Sequence, residues 1–251
     1  MSVGFPTRRH LLQGAGALAL GMAQGLALGL AQGLALPTGA RAEAALPPTP
    51  AAPPAPATVL PEDIAFRIFV AGSEIGHHRL QFTPGPEAGT LLVRADIRMK
   101  VRLLFVTVFD YTQTTEEVWQ DGRLRRFRSE TVDGDNHDMV TAVQTAAGLS
   151  VESRRFGPRV LAAGIWPTTA FWRPDAVQRQ DFLDAARGDL RTVETTALPL
   201  EFIDARGRRQ PARRFHVETS RSFDVWYGTS GDWLKLQWKG FGLTADYRRM
   251  A

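Results

Sequence analysis

The side chains able to do acid–base, nucleophilic or metal chemistry are scattered through this sequence, and none falls into a spacing that such chemistry requires. His77-His78 adjoin in a segment that alternates like a strand. Neighbours on a strand point to opposite faces, so one metal ion would need one of them together with distant His137 or His216. Asp133, Asp135 and Asp138, around Gly134 and Asn136, follow the start of a calcium loop, but Gln144 stands where an EF-hand needs its closing glutamate. An acidic turn is the plainer reading. Glu116 and Glu117 diverge for the same reason as the histidine pair, which excludes a shared acid–base site and leaves room for one buried glutamate. There is no Gly-x-Ser-x-Gly elbow and no glycine-rich phosphate loop closing on Lys-Ser/Thr. With no cysteine, thiol catalysis, disulfides, iron–sulfur clusters, thiolate zinc and a lipobox anchor are all excluded. These residues predict a non-enzymatic domain without a cofactor, one that binds a lipid or other apolar ligand or scaffolds envelope components. The alternatives are a hydrolase-type enzyme with a carboxylate/histidine site of no recognised motif, and a pure protein-interaction domain. Converging His, Asp or Glu side chains with perturbed pKa values in a cleft would mark the enzyme.

The aromatic residues carry more signal. Six tryptophans are many for this length. Their plain role is core, with indole N–H groups finding acceptors. Their sharper role is a cavity between sheet and helices, lined by Phe105, Phe109, Trp172 and Trp238, that takes a lipid or another apolar small molecule. Leu103–Tyr111 supports the cavity, being apolar on both faces as far as Asp110. Near the C-terminus, alternation puts Leu234, Leu236 and Trp238 on one face and Trp233, Lys235, Gln237 and Lys239 on the other.

The elements that position these residues read as strands from Pro61 onward. Ile64, Phe66, Ile68 and Val70 repeat with period two, as do Leu91, Val93, Ala95, Ile97, Met99 and Val101. Ala71-Gly72-Ser73, Asp121-Gly122 and Asp133–Asn136 are turns. The pattern breaks between Leu161 and Arg187, where a short helix at Ala170–Arg173 and a second from Asp175 to Ala186 are expected, bounded by Pro174 and Gly188. The fold class is therefore mainly β: an antiparallel meander of about twelve strands forming an open or partly closed barrel, with a short helical insertion around 168–187.

The N-terminus is organised for export. Thr7-Arg8-Arg9-His10-Leu11-Leu12 is similar to the twin-arginine pattern Ser/Thr-Arg-Arg-x-Phe-Leu. An uncharged stretch from Gly14 to Leu36 follows, then Ala40-Arg41-Ala42, an A-x-A type cleavage site. The chain thus divides into a signal peptide (1–42), a Pro/Ala-rich linker (43–60) and a single barrel-like domain (61–251). Arg8 and Arg9 would meet the twin-arginine translocase, and Ala40 and Ala42 signal peptidase, delivering a periplasmic or extracellular product. Leu18–Gly25 is nearly repeated as Leu26–Gly33, which lengthens the apolar run to that of a membrane span; membrane attachment is expected only if the signal stays uncleaved. The linker favours semi-rigid polyproline II and lacks the basic flank of an SH3 ligand. Removing residues 1–42 takes away three arginines and no acid, leaving 27 basic against 26 acidic side chains. So balanced a domain has no general attraction for phosphate backbones, and nucleic acid is not an expected partner. The basic cluster Arg206-Gly-Arg-Arg209 reads as a solvated hairpin tip.

Three motifs taken together resemble a family of uncharacterised exported bacterial domains of unknown function. They are Ile75-Gly76, Glu117-Val-Trp119-Gln-Asp-Gly122-Arg-Leu124, and Trp226-Tyr227 with Gly231-Asp-Trp233, and the resemblance spans most of residues 62–249. The family pattern often continues Trp-Tyr with Asp; Gly228 stands there instead, which argues against a carboxylate role at that position. More distantly, the order of elements is similar to periplasmic lipoprotein carriers, half-barrels whose helix-plugged apolar face holds acyl chains. That likeness is one of fold alone.

Overall fold

The computed structural model describes residues 60–103, 106–219, 222–240 and 243–251. Phe105, the export-signal residues Arg8, Arg9, Ala40 and Ala42, and the linker up to residue 59 lie outside them.

Eight strands come first: β1 (Ile64–Val70), β2 (Ser73–Pro84), β3 (Thr90–Leu103), β4 (Val106–Gln120), β5 (Arg123–Asp133), β6 (Asn136–Thr145), β7 (Gly148–Ser153) and β8 (Gly157–Leu161). An insertion follows, holding the short strands β9 (Trp166–Pro167), β10 (Asp181–Leu183) and β11 (Leu190–Thr192). Then come β12 (Glu194–Ala205), β13 (Arg208–Glu218), β14 (Phe223–Gly228), β15 (Trp233–Gly240) and β16 (Leu243–Arg249). Thirteen strands form one antiparallel sheet in the order β12-β13-β14-β15-β16-β1-β2-β3-β4-β5-β6-β7-β8. The meander is thus consecutive except at one seam, where β16 pairs with β1 through Phe66↔Arg249 and Ile68↔Tyr247. Its two free edges, β8 and β12, are joined in sequence by the insertion.

Local chemistry explains the hairpins. Ala71-Gly72, Asp121-Gly122 and Arg206-Gly207 all have positive φ at both central residues, the type I′ geometry whose twist matches the flanking strands. Gly76 has a different cause. It faces Ile68 and Met99 across the ladder, and a β-carbon there would collide with the Arg98 carbonyl, so no other residue fits without moving backbone.

One face of the sheet packs on the insertion. Cross-strand rows run over it, such as Val225, Leu236, Tyr247 and Ile68, and Phe66, His78, Ile97, Gln113 and Thr131. Trp166, Phe171, Phe182 and Leu183 of the insertion belong to the same buried cluster as Phe66, Val225 and Tyr247. The opposite face is largely charged: Arg248, Arg67, His77 and Arg98 form a row, answered by Asp246, Glu74 and Asp96. Such exposed pairs contribute little each.

Two expectations are corrected. Among the described residues the insertion contains no α-helix; Ala170–Trp172 and Pro174–Gln178 are single 3₁₀ turns. The helix expected from Asp175 to Ala186 is replaced by the second turn, by β10 pairing with β9 and β11, and by the loop that follows β10. Tertiary pairing overrides the helical preference of its alanines here. Secondly, a register shift between β14 and β15 breaks the alternation. Trp233 and Leu236 both join the main core, while Leu234 packs with Trp226 in a small second cluster.

Candidate functional site

Two neighbourhoods on the insertion side of the sheet bring polar side chains out of water. The first fastens the insertion. Glu117, on β4, is 2% exposed. Its Oε1 accepts from the Thr169 hydroxyl at 2.5 Å, and its Oε2 from the indole N–H groups of Trp119 and Trp172 at 2.8 and 3.2 Å. Burial raises the Glu117 pKa, while these three donors and the Arg173 charge act to lower it. The three indoles of Trp119, Trp166 and Trp172 meet edge to face, and the Arg173 guanidinium lies 4.3 Å over Trp166 and 5.0 Å over Trp119. Arg173 also donates to the Gly122 carbonyl at 2.9 Å, and Tyr227 donates its hydroxyl proton to the Phe171 carbonyl at 2.6 Å. Glu117, Trp119, Gly122 and Tyr227, residues of the family pattern, thus all grip the short stretch 169–173.

The second neighbourhood is a cavity of about 80 Å³ between the sheet and the insertion. Its wall is mainly apolar, with Ile97, Phe171, Phe182, Phe223, Trp233 and Leu236. Three groups could bind or react. His78 lies among the rings of Phe66, Trp233 and Tyr247, with centroids at 6.1, 5.6 and 6.1 Å. It is 5% exposed, and its Nε2 has no hydrogen-bond partner. Burial pushes its pKa down to about 3, so the imidazole is neutral at physiological pH. Asp184 is the second group, its pKa pushed up by burial to about 6 against the pull of Arg191. Both of its oxygens accept from the protein: Oδ1 takes the N–H groups of Ala186 and Arg187, and Oδ2 takes Arg191 Nε at 2.9 Å. These bonds close the β10–β11 loop, in which Gly188 N–H also donates to the Asp184 carbonyl. Arg191 is the third; its Nη2 lies 3.3 Å from Asp189 but makes no hydrogen bond.

The residues singled out by sequence are distributed as follows. Phe109, Trp172 and Trp238 are partly buried against the core. Phe109 stacks on Tyr111, a residue of the cavity wall, and Trp172 packs edge-on against Phe82. None of the three lines this cavity itself. His77 pairs with Asp96, His137 with Glu130 and His216 with Asp224, each on its own part of the sheet. Among the described residues no three His, Asp or Glu side chains converge as a metal site. Glu116 points out toward Arg94, opposite in face to Glu117. Sequence reasoning overlooked Asp184, Arg191 and Thr169. It met His78 only as half of a histidine pair. The one available clue was its place in an alternating strand, two residues before buried Leu80.

No curated protein matches this sequence. A solved structure does: the β-barrel-like protein of domain of unknown function DUF1849 from Brucella abortus, with a TM-score of 0.55 and 8% identity, over 76% of this chain and 96% of that one. At that identity the likeness is one of fold, and it identifies the sheet as β-barrel-like. The motifs gripping the insertion fall inside a broader match, since residues 66–250 fit the model of a domain of unknown function, DUF6134, and the chain belongs to that family.

Proposed function

We propose that this protein is an exported, non-enzymatic β-barrel-like binding protein that holds one small, mainly apolar molecule between sheet and insertion. The observation that carries the reading is the cavity itself: apolar walls around a buried imidazole with an unpartnered nitrogen. A mainly apolar pocket with few, converging polar groups is the usual form of a small-molecule site. Buried polar atoms without partners are rare in native proteins and call for an occupant or a task. At about 80 Å³ the cavity is roughly half of the ~150 Å³ that holds benzene, so its volume favours a ligand smaller than benzene over an acyl chain. Of the lipid and the smaller apolar molecule that the sequence admits, the smaller fits better. The enzyme reading has less support, because the Asp184 carboxylate is committed to closing a loop rather than poised near a substrate. The twin-arginine signal, with translocase and signal peptidase as partners and the periplasm or exterior as destination, completes the proposal.

Native mass spectrometry with organic extraction, on protein purified from the envelope fraction, tests it. A stoichiometric small molecule supports the reading and names the ligand class. A clean apo mass moves the weight to an interaction domain. One observation favours that second reading: Leu200 and Phe202 on the long edge strand β12 are 53% and 61% exposed. Replacing Arg8 and Arg9 by lysine should leave the precursor in the cytoplasm. Unchanged processing in that variant would remove the twin-arginine route.

A further inference from the structure

The sheet has two open edges, and they are not alike. β8 has five residues, one of them Pro158, which has no N–H to offer. β12 has twelve and pairs with β13 alone among the described strands. From Leu200 to Ala205 it carries no proline, lysine or arginine. Shortness, proline and charged residues, lysine above all, keep a free edge from pairing. β8 is short and holds a proline; this half of β12 has neither device. Hairpin geometry fixes what the long edge offers. The two-residue turn Arg206-Gly207 makes Ala205 and Arg208 a hydrogen-bonded pair. Alternating back along β12, Ile203 and Glu201 bond to β13, while Asp204, Phe202 and Leu200 turn their N–H and C=O groups to the open side. Pro211 fits this alternation, since it lies opposite Phe202, where no N–H toward β12 is required. Leu200 and Phe202 are 53% and 61% exposed, on the face that Val217 of β13 turns to the core.

We propose that this edge is a homodimer interface, in which Leu200–Ala205 pairs antiparallel with the same segment of a second copy about a twofold axis through Phe202. Phe202 then faces its twin and Leu200 faces Asp204 of the second copy, so open backbone groups meet open backbone groups on both chains. The charges agree with this register. Asp204 of the second copy enters the row of Leu200 and Arg213, with exposed Arg213 beyond Leu200 to receive its charge. On the opposite face Glu201 meets Ile203. An axis through Glu201 also joins open groups, but it sets two Glu201 side chains directly opposite each other, a like-charge pair that destabilises a ladder. An axis through Ile203 leaves Leu200 against the turn residue Arg206 and separates the two phenyl rings. The proposal is independent of the cavity.

Analytical ultracentrifugation of protein purified from the envelope fraction, over a range of concentrations, tests it. A reversible monomer–dimer equilibrium is expected. Phe202→Lys should raise the dissociation constant at least about a hundredfold, because two apolar side chains at the axis are replaced by two facing charges. Phe202 is largely exposed in one copy, so the variant should keep the fold and thermal transition of the monomer. The chain has no cysteine, so single cysteines report the register. Phe202→Cys should be joined into a covalent dimer by a short bis-maleimide linker, since residues in a hydrogen-bonded antiparallel pair lie about 5.5 Å apart, and the link traps even a weakened dimer. Val160→Cys, 57% exposed on the other edge, should stay unlinked. A monomer at every concentration overturns the proposal and leaves β12 to a strand of another protein. A dimer that Phe202→Lys does not weaken, or that links through Val160 instead, places the interface elsewhere and overturns it too.

Discussion

Glu117 and His78 stand on the same face of the sheet, on β4 and β2, with β3 between them. Both are almost fully removed from water, at 2% and 5% exposure. The carboxylate accepts from a hydroxyl and two indoles, and a guanidinium stacked on those indoles adds its charge. The imidazole is surrounded by rings, and its Nε2 bonds to nothing. Equal burial with opposite satisfaction implies opposite tasks. A satisfied buried carboxyl group joins elements that would otherwise separate, here strand β4 and stretch 169–173 of the insertion. An unsatisfied buried dipole weakens the empty protein and strengthens whatever complex supplies the missing bond.

The sharpest way to break this contrast is to remove the carboxylate. Glu117→Leu leaves two indole N–H groups and a hydroxyl buried without an acceptor, and Arg173 without that neighbour. Each buried donor left without an acceptor costs about 1–3 kcal/mol, so a loss of about 3–5 kcal/mol is expected, while Arg173 keeps its pair with Asp175. Urea denaturation should report that loss, with the slope unchanged if the sheet survives. A loss under about 1 kcal/mol would mean that the insertion is held by apolar packing alone and that the Glu117 cluster is incidental.

The pH dependence comes next in size. Burial lowers the His78 pKa from its ordinary 6.5 to about 3. Between those values the unfolded chain binds a proton that the folded chain refuses, so acid favours unfolding and stability rises with pH until about 6.5. Asp184 works in the other direction: its pKa is raised from 3.8 to about 6, the folded chain binds the extra proton, and stability falls as pH rises across that window. The two effects oppose each other over most of the range and partly hide one another in the wild type. Comparison with His78→Phe cancels the Asp184 part. Going from pH 6.5 to pH 5, the wild type should lose about 2 kcal/mol relative to the variant. Parallel curves for the two proteins would show that His78 is not held neutral by its surroundings.

Much of the contrast's framework was legible in the sequence. Period-two alternation gives the strands, Asp121-Gly122 gives a turn by its chemistry, and adjacency on a strand correctly sends Glu116 and Glu117, and His77 and His78, to opposite faces. What alternation cannot carry is an interruption of itself. The register shift opposite Trp226 and Tyr227 brings Trp233 and Leu236 into one cavity wall, although simple counting separates them. Nor can local preference foresee that Asp184, in a stretch rich in alanine, caps a loop through its own side chain instead of lying on a helix. The Glu117 cluster was hidden for a third reason. Its partners Thr169 and Trp172 lie more than fifty residues further along the chain, and their convergence depends on where the insertion crosses the sheet.

Thr169→Val tests the satisfied site more gently. The shape is kept, Glu117 Oε1 loses its hydroxyl donor, and both indole bonds to Oε2 remain. A hydrogen bond to a charged group is worth about 1.5–3 kcal/mol, so a loss near the lower end is expected in thermal or urea unfolding. If the loss equals that of Glu117→Leu, the hydroxyl alone joins insertion to sheet and the two indoles contribute nothing.

The smallest expected effect is the most informative about the unsatisfied site. At pH 7, His78→Phe exchanges a neutral ring for an apolar one of similar shape, facing Phe66, Trp233 and Tyr247. No bond from Nε2 to protein is lost, because none is made. The desolvation cost of a buried polar nitrogen disappears with it, and that cost is about 1–3 kcal/mol for a group left without a partner. Against this stands the slightly larger phenyl ring, which the adjoining cavity can take up without forcing the backbone. The ligand-free variant should therefore match the wild type within about 0.5 kcal/mol or exceed it. A loss of more than about 2 kcal/mol would mean that the imidazole nitrogen is satisfied in solution, by a trapped water or by a movement of Tyr247. The difference between the two buried groups would then be one of degree, and His78 would belong with Glu117 among the residues that hold the fold.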